Sequence, residues 1–160
     1  MNDTMKKYVR SLLERYPETI RKIALLRYEM EHPASITPEE MIDAMAFSRG
    51  EGGGTVGRIS NKTLYIAMNY QSMAARLNGE NMDEIARRLL PLEREVERLT
   101  HYVALLPRRD SYIIRRHYFE DASWEEIAGE LDIAVRTAQV TLKASIARLA
   151  EMYQFVAESE

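Results

Sequence analysis

Five side chains near the start of one predicted helix have the chemistry to read DNA bases. They are Arg136, Thr137, Gln139, Val140 and Lys143. Arginine can bind guanine and glutamine can bind adenine through paired hydrogen bonds, and threonine can contact a thymine methyl group or a phosphate. The lysine, one turn further along, would reach a backbone phosphate and set the register. Because a merely solvated helix face can carry the same residues, the surrounding elements must decide between the two interpretations.

A second set of polar residues precedes this helix and has the chemistry to hold DNA phosphates. These predicted phosphate contacts are Arg108, Arg109, Arg115, Arg116 and Ser123. The alternative is that the arginines pair with Glu125, Glu126 and neighbouring carboxylates. The sequence leaves both possibilities open.

Two helices joined by a tight turn are predicted to position the five base-reading candidates. Ser123 caps a helix from Trp124 to Leu131, and Glu126 completes a capping box. A short turn, Asp132-Ile133-Ala134, leads into a longer helix from Val135 to about Met152. The residues predicted to face inward are small or apolar: Ile127, Ala128, Leu131, Ile133, Ala138, Leu142, Ile146 and Leu149. This is the pattern of a helix-turn-helix, whose second helix presents its outer, N-terminal face to the major groove.

The segment SWEEIAGELDIAVRTAQVTLKASIARLA resembles, without gaps, the promoter-recognition unit of sigma-70-type factors, region 4. The preceding LLPRRDSYIIRRHYFEDASW, in which Pro107 begins a helix, looks like the lead-in of the same group. The order of the larger elements is similar to that of bacteriophage late-operon activators of the RinA and ArpU type. The resemblance implies a sigma-factor-like transcription regulator of phage or prophage origin. It would bind double-stranded DNA sequence-specifically and contact RNA polymerase as a second step.

The segment also departs from the sigma pattern. Ala134 stands where the second helix usually has a Ser or Thr cap, and Val135 and Val140 replace positions that are often polar or basic. From Thr100 to Glu160 the chain has seven Arg and Lys against ten Asp and Glu. A DNA-facing surface must therefore separate its positive charges from its negative ones.

The N-terminal region carries an apolar stripe at helical spacing. Pro17 either kinks one helix there or begins a second one, and His32-Pro33 ends the segment. The stripe comprises Met5, Val9, Leu12, Tyr16, Ile20, Ile23, Leu26 and Met30.

A heptad seam follows further along the chain. Asn78-Gly79 is predicted to end one helix, begun after Ser60, and Asn81 to begin the next. The seam of that next helix comprises Ile85, Leu89, Leu92, Val96, Leu99, Val103 and Leu106. So narrow a seam requires a partner helix, which is either the N-terminal stripe of the same chain or a second copy in a homodimer.

The glycine-rich loop at 48–58 is interpreted as a linker. It follows a short predicted helix that begins after Thr37. Gly52, Gly54 and Gly57 formally match a dinucleotide-binding fingerprint, but no strand precedes them and no βαβ unit surrounds them. A hinge between two parts of the protein is the better interpretation.

Composition bounds the remaining possibilities. The chain is 46% hydrophobic and 29% charged, has a formal net charge of −3 and has no cysteine. We expect a cytoplasmic protein without a signal peptide, membrane span or cofactor. No nucleophile–base arrangement indicates an enzyme, and His32, His101 and His117 lack metal-ligand spacing.

These observations predict an all-α chain of two parts. Residues 1–106 would form a helical bundle or coiled-coil region containing the glycine-rich loop, and residues 107–160 a helix-turn-helix DNA-binding domain. The predicted function is sequence-specific DNA-binding transcription regulation. Two alternatives remain: a phage small terminase subunit, and an adaptor that docks on RNA polymerase without binding DNA.

Overall fold

The computed structural model describes the backbone of residues 2–32 and 61–160, and the side chains of residues 3–32, 76 and 78–160. Every element in these ranges is helical, which confirms the predicted all-α fold. Among the described helices, none combines the length and the apolar character that a membrane span requires. The short helix predicted after Thr37, the glycine-rich loop at 48–58 and Ser60 lie outside the described residues.

The N-terminal stripe forms two helices, α1 (Asn2–Glu14) and α2 (Tyr16–Glu31). The break between them is slight, because the Arg15 N–H still donates to the Ser11 carbonyl at 3.0 Å. Pro17 lies in the first turn of α2, where its missing N–H removes no helical hydrogen bond. Of the two possibilities for Pro17, the structure has the one in which it helps to begin a second helix.

Burial in α2 departs from the predicted stripe at Ile20. Val9 and Leu12 of α1 and Ile23 of α2 are buried as predicted, but Thr19 is also buried, whereas Ile20 is 38% exposed. The Thr19 hydroxyl donates to the Arg15 carbonyl at 3.0 Å, so its burial leaves no donor unsatisfied. The prediction for Ile20 was wrong because the buried face of α2 is formed by Thr19 and Ile23, which lie four residues apart on one side of the helix.

α3 spans Asn61–Ala104 without interruption, and Pro91 lies inside it. The prediction that Asn78-Gly79 ends one helix and Asn81 begins another is therefore wrong. A glycine inside a helix costs only about 1 kcal/mol relative to alanine, and helix-forming residues on both sides outweigh that cost.

The C-terminal helices begin and end close to the predicted positions. The single helix predicted from Pro107 is an α-helix continued by a π-helical turn, and the last helix extends beyond Met152. The observed elements are α4 (Arg108–Ile114), the π-turn (Arg115–Phe119), α5 (Trp124–Leu131) and α6 (Val135–Ser159).

Residue contacts divide the chain into two compact units, residues 1–24 with 90–160, and residues 25–89. The first unit joins α1 and the end of α3 to all of the C-terminal helices. The division of the chain into an N-terminal region, 1–106, and a DNA-binding domain, 107–160, stays a prediction. In the second unit, Leu89 is buried as the heptad seam predicts and Ile85 is half-buried.

Helix α6 is the central element of the larger unit. α1, α4 and α5 all pack against it, and α1 makes the most extensive contact. The main neighbour of the N-terminal stripe is thus α6, whose small residues Ser145 and Ala150 are buried. Leu99, Val103 and Leu106 of α3 join the same core as Val9, Leu12 and Leu13, so this part of the heptad seam is buried within the chain itself.

Polar and aromatic contacts fix the same helices from outside the core. Arg15 donates to Glu95 at 2.5 Å, which ties the α1–α2 junction to α3. Arg148 of α6 donates to Asp110 of α4 at 2.7 Å, and the Asp110 side chain is only 10% exposed. The Tyr16 ring also stacks on Phe119 of the π-turn, with ring centroids 4.0 Å apart.

We expect Leu99→Asp to lower the melting temperature of the protein strongly, because Leu99 is 1% exposed and the substitution places a charge in the core. The expected loss of stability is about 3 kcal/mol or more. Leu90→Asp is the matched control, since Leu90 is on the same helix but 47% exposed. Equal melting temperatures for the two variants, measured by circular dichroism, would contradict the core described above.

Candidate nucleic-acid interface

The first helix of the helix-turn-helix begins with the predicted capping box. The Glu126 N–H donates to the Ser123 hydroxyl oxygen at 3.1 Å, and the Ser123 N–H donates to the Glu126 carboxylate at 3.3 Å. Both bonds satisfy N–H groups that have no partner within the helix. Ser123 is itself exposed, and its hydroxyl hydrogen remains free to donate to another acceptor.

The turn between α5 and α6 is a Schellman motif. The Ile133 N–H donates to the Ala128 carbonyl at 3.0 Å, and the Asp132 N–H to the Gly129 carbonyl at 3.3 Å. Asp132 has a φ of 53°, a left-handed conformation that aspartate tolerates better than most residues other than glycine. Ile133 follows it and packs, half-buried, against the core. These contacts fix the angle at which α6 leaves the turn.

Helix α6 begins at Ala134 without a side-chain cap. At the start of the helix, the Ala138 N–H donates a hydrogen bond to the Ala134 carbonyl at 3.1 Å. The N–H groups of the first turn therefore have no capping side chain. Backbone N–H groups at a helix start are among the groups that contact DNA phosphates.

The five base-reading candidates all lie exposed at this end of α6. The group comprises Arg136, Thr137, Gln139, Val140 and Lys143. Ala138, Leu142 and Ile146, which alternate with them at helical spacing, are buried as predicted. Within the described part of the chain, neither Arg136 nor Lys143 has an acidic side chain at ion-pair distance. The helix thus buries one edge and presents the candidates on the other.

Of the four candidate arginines before α5, Arg116 differs from the other three because it is paired with acidic side chains. Its guanidinium donates to Glu130 at 2.5 Å and to Glu120 at 3.3 Å, and Tyr112 also donates to Glu130. The hydrogen bond with Glu130 raises the pKa of Arg116, and the same bond lowers the pKa of Glu130. Arg116 therefore joins the lead-in helix to α5 and is not free to bind an anion. The predicted pairing with carboxylates is right for this residue, although its partners are not Glu125 and Glu126.

The other three arginines, Arg108, Arg109 and Arg115, are exposed and line one open pocket. The pocket has a volume of about 550 Å³ and is also lined by Leu131 and Ile133 of the helix-turn-helix. Among the described residues, none of the three forms an ion pair. They therefore place unneutralised positive charge beside the turn that leads into α6.

His117 and Trp124 connect the π-turn to α5. Their rings stack with centroids 4.4 Å apart, and Trp124 packs half-buried against the core. The His117 Nδ1 atom is buried without a hydrogen-bond partner. Burial lowers the pKa of His117, although the charge of Asp121 acts in the opposite direction. The folded protein thus favours the neutral imidazole.

Several contacts that shape this surface were not predicted from the sequence. Arg116 and Glu130 are separated by fourteen positions, and Asp110 and Arg148 by thirty-eight, so no local spacing indicates either pair. The π-turn ends with the Ala122 N–H donating to the Arg116 carbonyl at 2.8 Å. For the turn after the π-helix a sequence signal was available. An aspartate in a short polar segment, such as Asp121, tolerates a positive φ, and its φ here is 54°.

The neutral state of His117 predicts a pH-dependent stability. Because the folded pKa lies below the unfolded value of about 6.5, the unfolded chain takes up the proton first, and stability falls as the pH drops below about 6.5. His117→Phe keeps an aromatic ring against Trp124 but does not titrate, so its urea midpoint should fall less between about pH 7.5 and pH 5.5. His101→Phe, at an exposed position, should retain the wild-type dependence. An unaltered pH dependence in His117→Phe would refute this account of His117.

Comparison with known proteins adds one finding. Residues 96–149, about a third of the chain, match the family Sigma-70, region 4. No curated protein and no solved structure gave a significant match. The matched range begins in α3, includes α4 and α5, and ends within α6. The family match and the observed geometry together support a sigma-region-4-like helix-turn-helix within residues 96–149.

Proposed function

We propose that this protein is a sequence-specific DNA-binding regulator of transcription that reads its target through the start of α6. The observation that carries the proposal is the division of α6 into a buried edge and an exposed one. The exposed edge presents Arg136, Gln139 and Lys143 without acidic partners in the described chain, and the Schellman turn and the core fix its orientation. What favours DNA contact over a merely solvated face is the position of these side chains, at the start of the second helix of a helix-turn-helix.

In this mechanism the N-terminal half of α6 enters the major groove. Arg136 donates two hydrogen bonds to a guanine, Gln139 pairs with an adenine, and Thr137 contacts a thymine methyl group or a phosphate. Val140, which is 62% exposed, offers an apolar contact in the groove. Lys143 binds a backbone phosphate and sets the register.

Arg108, Arg109 and Arg115 supply further phosphate contacts from the lead-in helix and the π-turn. Ser123 can donate its hydroxyl hydrogen to a phosphate while its oxygen continues to cap α5. Arg116 is assigned a different role from that expected, because Glu130 and Glu120 already hold it. The proposed phosphate contacts of the lead-in segment thus rest on three arginines in one pocket, none of which forms an ion pair within the described chain.

The resemblance to sigma-type regulators suggests two further features of the function. Contact with RNA polymerase would follow DNA binding, and the order of the elements fits a late-operon activator of phage or prophage origin.

Net negative charge keeps non-specific attraction to DNA weak, so most of the affinity for a target must come from base contacts.

The direct test is selection of bound duplexes from a random DNA library at about 50 mM salt, repeated near physiological salt. We expect one enriched sequence motif at both salt concentrations. Failure to enrich any sequence, even at the lower salt, would overturn the proposal and favour an adaptor that docks on polymerase without DNA.

With the selected duplex, Arg136→Ala and Lys143→Ala should behave differently. Arg136→Ala should cost about 1–3 kcal/mol of binding and relax the preference at one base pair. Lys143→Ala should weaken all sequences about equally and lower the slope of log affinity against log salt by roughly one. The matched control is Arg94→Ala, which removes a positive charge from an exposed position on α3. If neither recognition-helix variant differs from Arg94→Ala, α6 does not enter the groove.

A further inference from the structure

The heptad seam suggested a homodimer, but the C-terminal part of this seam is already buried within the chain itself. Leu99 and Val103 are each 1% exposed and belong to the chain's own core. A second copy could reach them only by opening that core. An interface between copies therefore requires a different apolar surface.

Such a surface lies between the end of α3 and the C-terminal half of α6. It is an open groove of about 680 Å³, lined mainly by apolar and aromatic side chains. Two large residues on its walls are strongly exposed, Leu105 at 61% and Phe155 at 72%. Exposed apolar side chains that cluster in one concave, mostly apolar groove mark a surface that a partner can cover.

The charges at the rim indicate what kind of partner fits. Arg148 and Glu151, three residues apart on α6, line the groove with opposite charges. Within the described chain Glu151 has no cationic partner, and only one guanidinium nitrogen of Arg148 binds Asp110. An acidic or basic partner would match one of these charges and repel the other. A second copy related by a two-fold axis matches both, because Arg148 of each copy then faces Glu151 of the other.

We propose that two copies of this chain associate through the groove, with Phe155 of each copy against Leu105 of the other. Apolar side chains on both walls supply the favourable burial, and the two Arg148–Glu151 pairs fix the antiparallel register.

The groove is separate from the DNA-reading end of α6. Met152 lies about 20 Å along the helix axis from Gln139, and the two surfaces point about a third of a turn apart. Association through the groove therefore leaves Arg136, Gln139 and Lys143 of both copies exposed. Two recognition helices on one particle can engage two half-sites, which would compensate for the acidic character of each chain.

Mass in solution, measured by sedimentation without DNA over about 5 to 200 µM protein, tests this proposal. The wild type should move from a monomer of 18.5 kDa toward twice that mass. Phe155→Glu should raise the concentration needed for association by about tenfold or more. Leu25→Glu is the matched control, since Leu25 is 67% exposed but lies outside the groove. A wild type that stays monomeric throughout, or a dimer that Phe155→Glu leaves intact, would overturn the proposal.

Cysteine cross-linking gives a second readout, which measures how close the two copies come and not how strongly a substitution weakens the dimer. The chain has no cysteine, so one can be placed at Leu105 in one preparation and at Phe155 in another. On mixing and mild oxidation, the two preparations should form disulfide-linked heterodimers faster than a control mixture of Leu105→Cys with Leu25→Cys. Equal rates in the two mixtures would show that the groove does not join the copies. Because neither measurement uses DNA, failure of the dimer would leave the proposed DNA binding standing.

Discussion

The structure depends above all on the burial of one edge of α6 along most of its length. Ala138, Leu142 and Ile146 bury the N-terminal half, and Leu149 and Tyr153 continue the buried edge toward the C-terminus. Each large apolar side chain buried in this way contributes about 1.5–3 kcal/mol. Because α1, α4 and α5 all pack on this edge, the opposite edge is held at a defined orientation. A helix held in this way can present base-reading side chains with little further ordering on binding.

The charged side chains fall into two groups: those that form ion pairs between helices, and those that have no acidic partner within the described chain. Pairs such as Arg15–Glu95 and Arg116–Glu130 join neighbouring helices, and their charges are neutralised there. Arg109 and Arg136, by contrast, have no acidic partner within the described chain. An acidic protein can thus carry a local cluster of unpaired positive side chains, because part of its negative charge is held in ion pairs between helices. The seven Arg and Lys against ten Asp and Glu of the C-terminal region do not by themselves exclude DNA binding.

Local sequence signals predicted the helix-turn-helix well and the tertiary contacts poorly. The Ser123–Glu126 capping box set the start of α5 correctly, because a cap is a contact between residues three positions apart. The continuity of α3 through Gly79 was missed, since intrinsic helix preferences are small and neighbouring residues outweigh them. The packing of α1 against α6 was also missed, because an apolar stripe shows that a helix has a partner but not which one. The five exposed candidates on α6 were found, since the buried positions of that helix determine what remains outside.

The N-terminal helix completes the core that holds α6. Trp124, in α5, is the chain's single tryptophan and reports on the helix-turn-helix. Leu13, in α1, is fully buried. The most direct test is equilibrium urea unfolding followed by Trp124 fluorescence, comparing the wild type with Leu13→Ala. If α1 belongs to this core, Leu13→Ala should destabilise the Trp124 transition by about 2–5 kcal/mol. An unchanged midpoint for that transition would contradict the account.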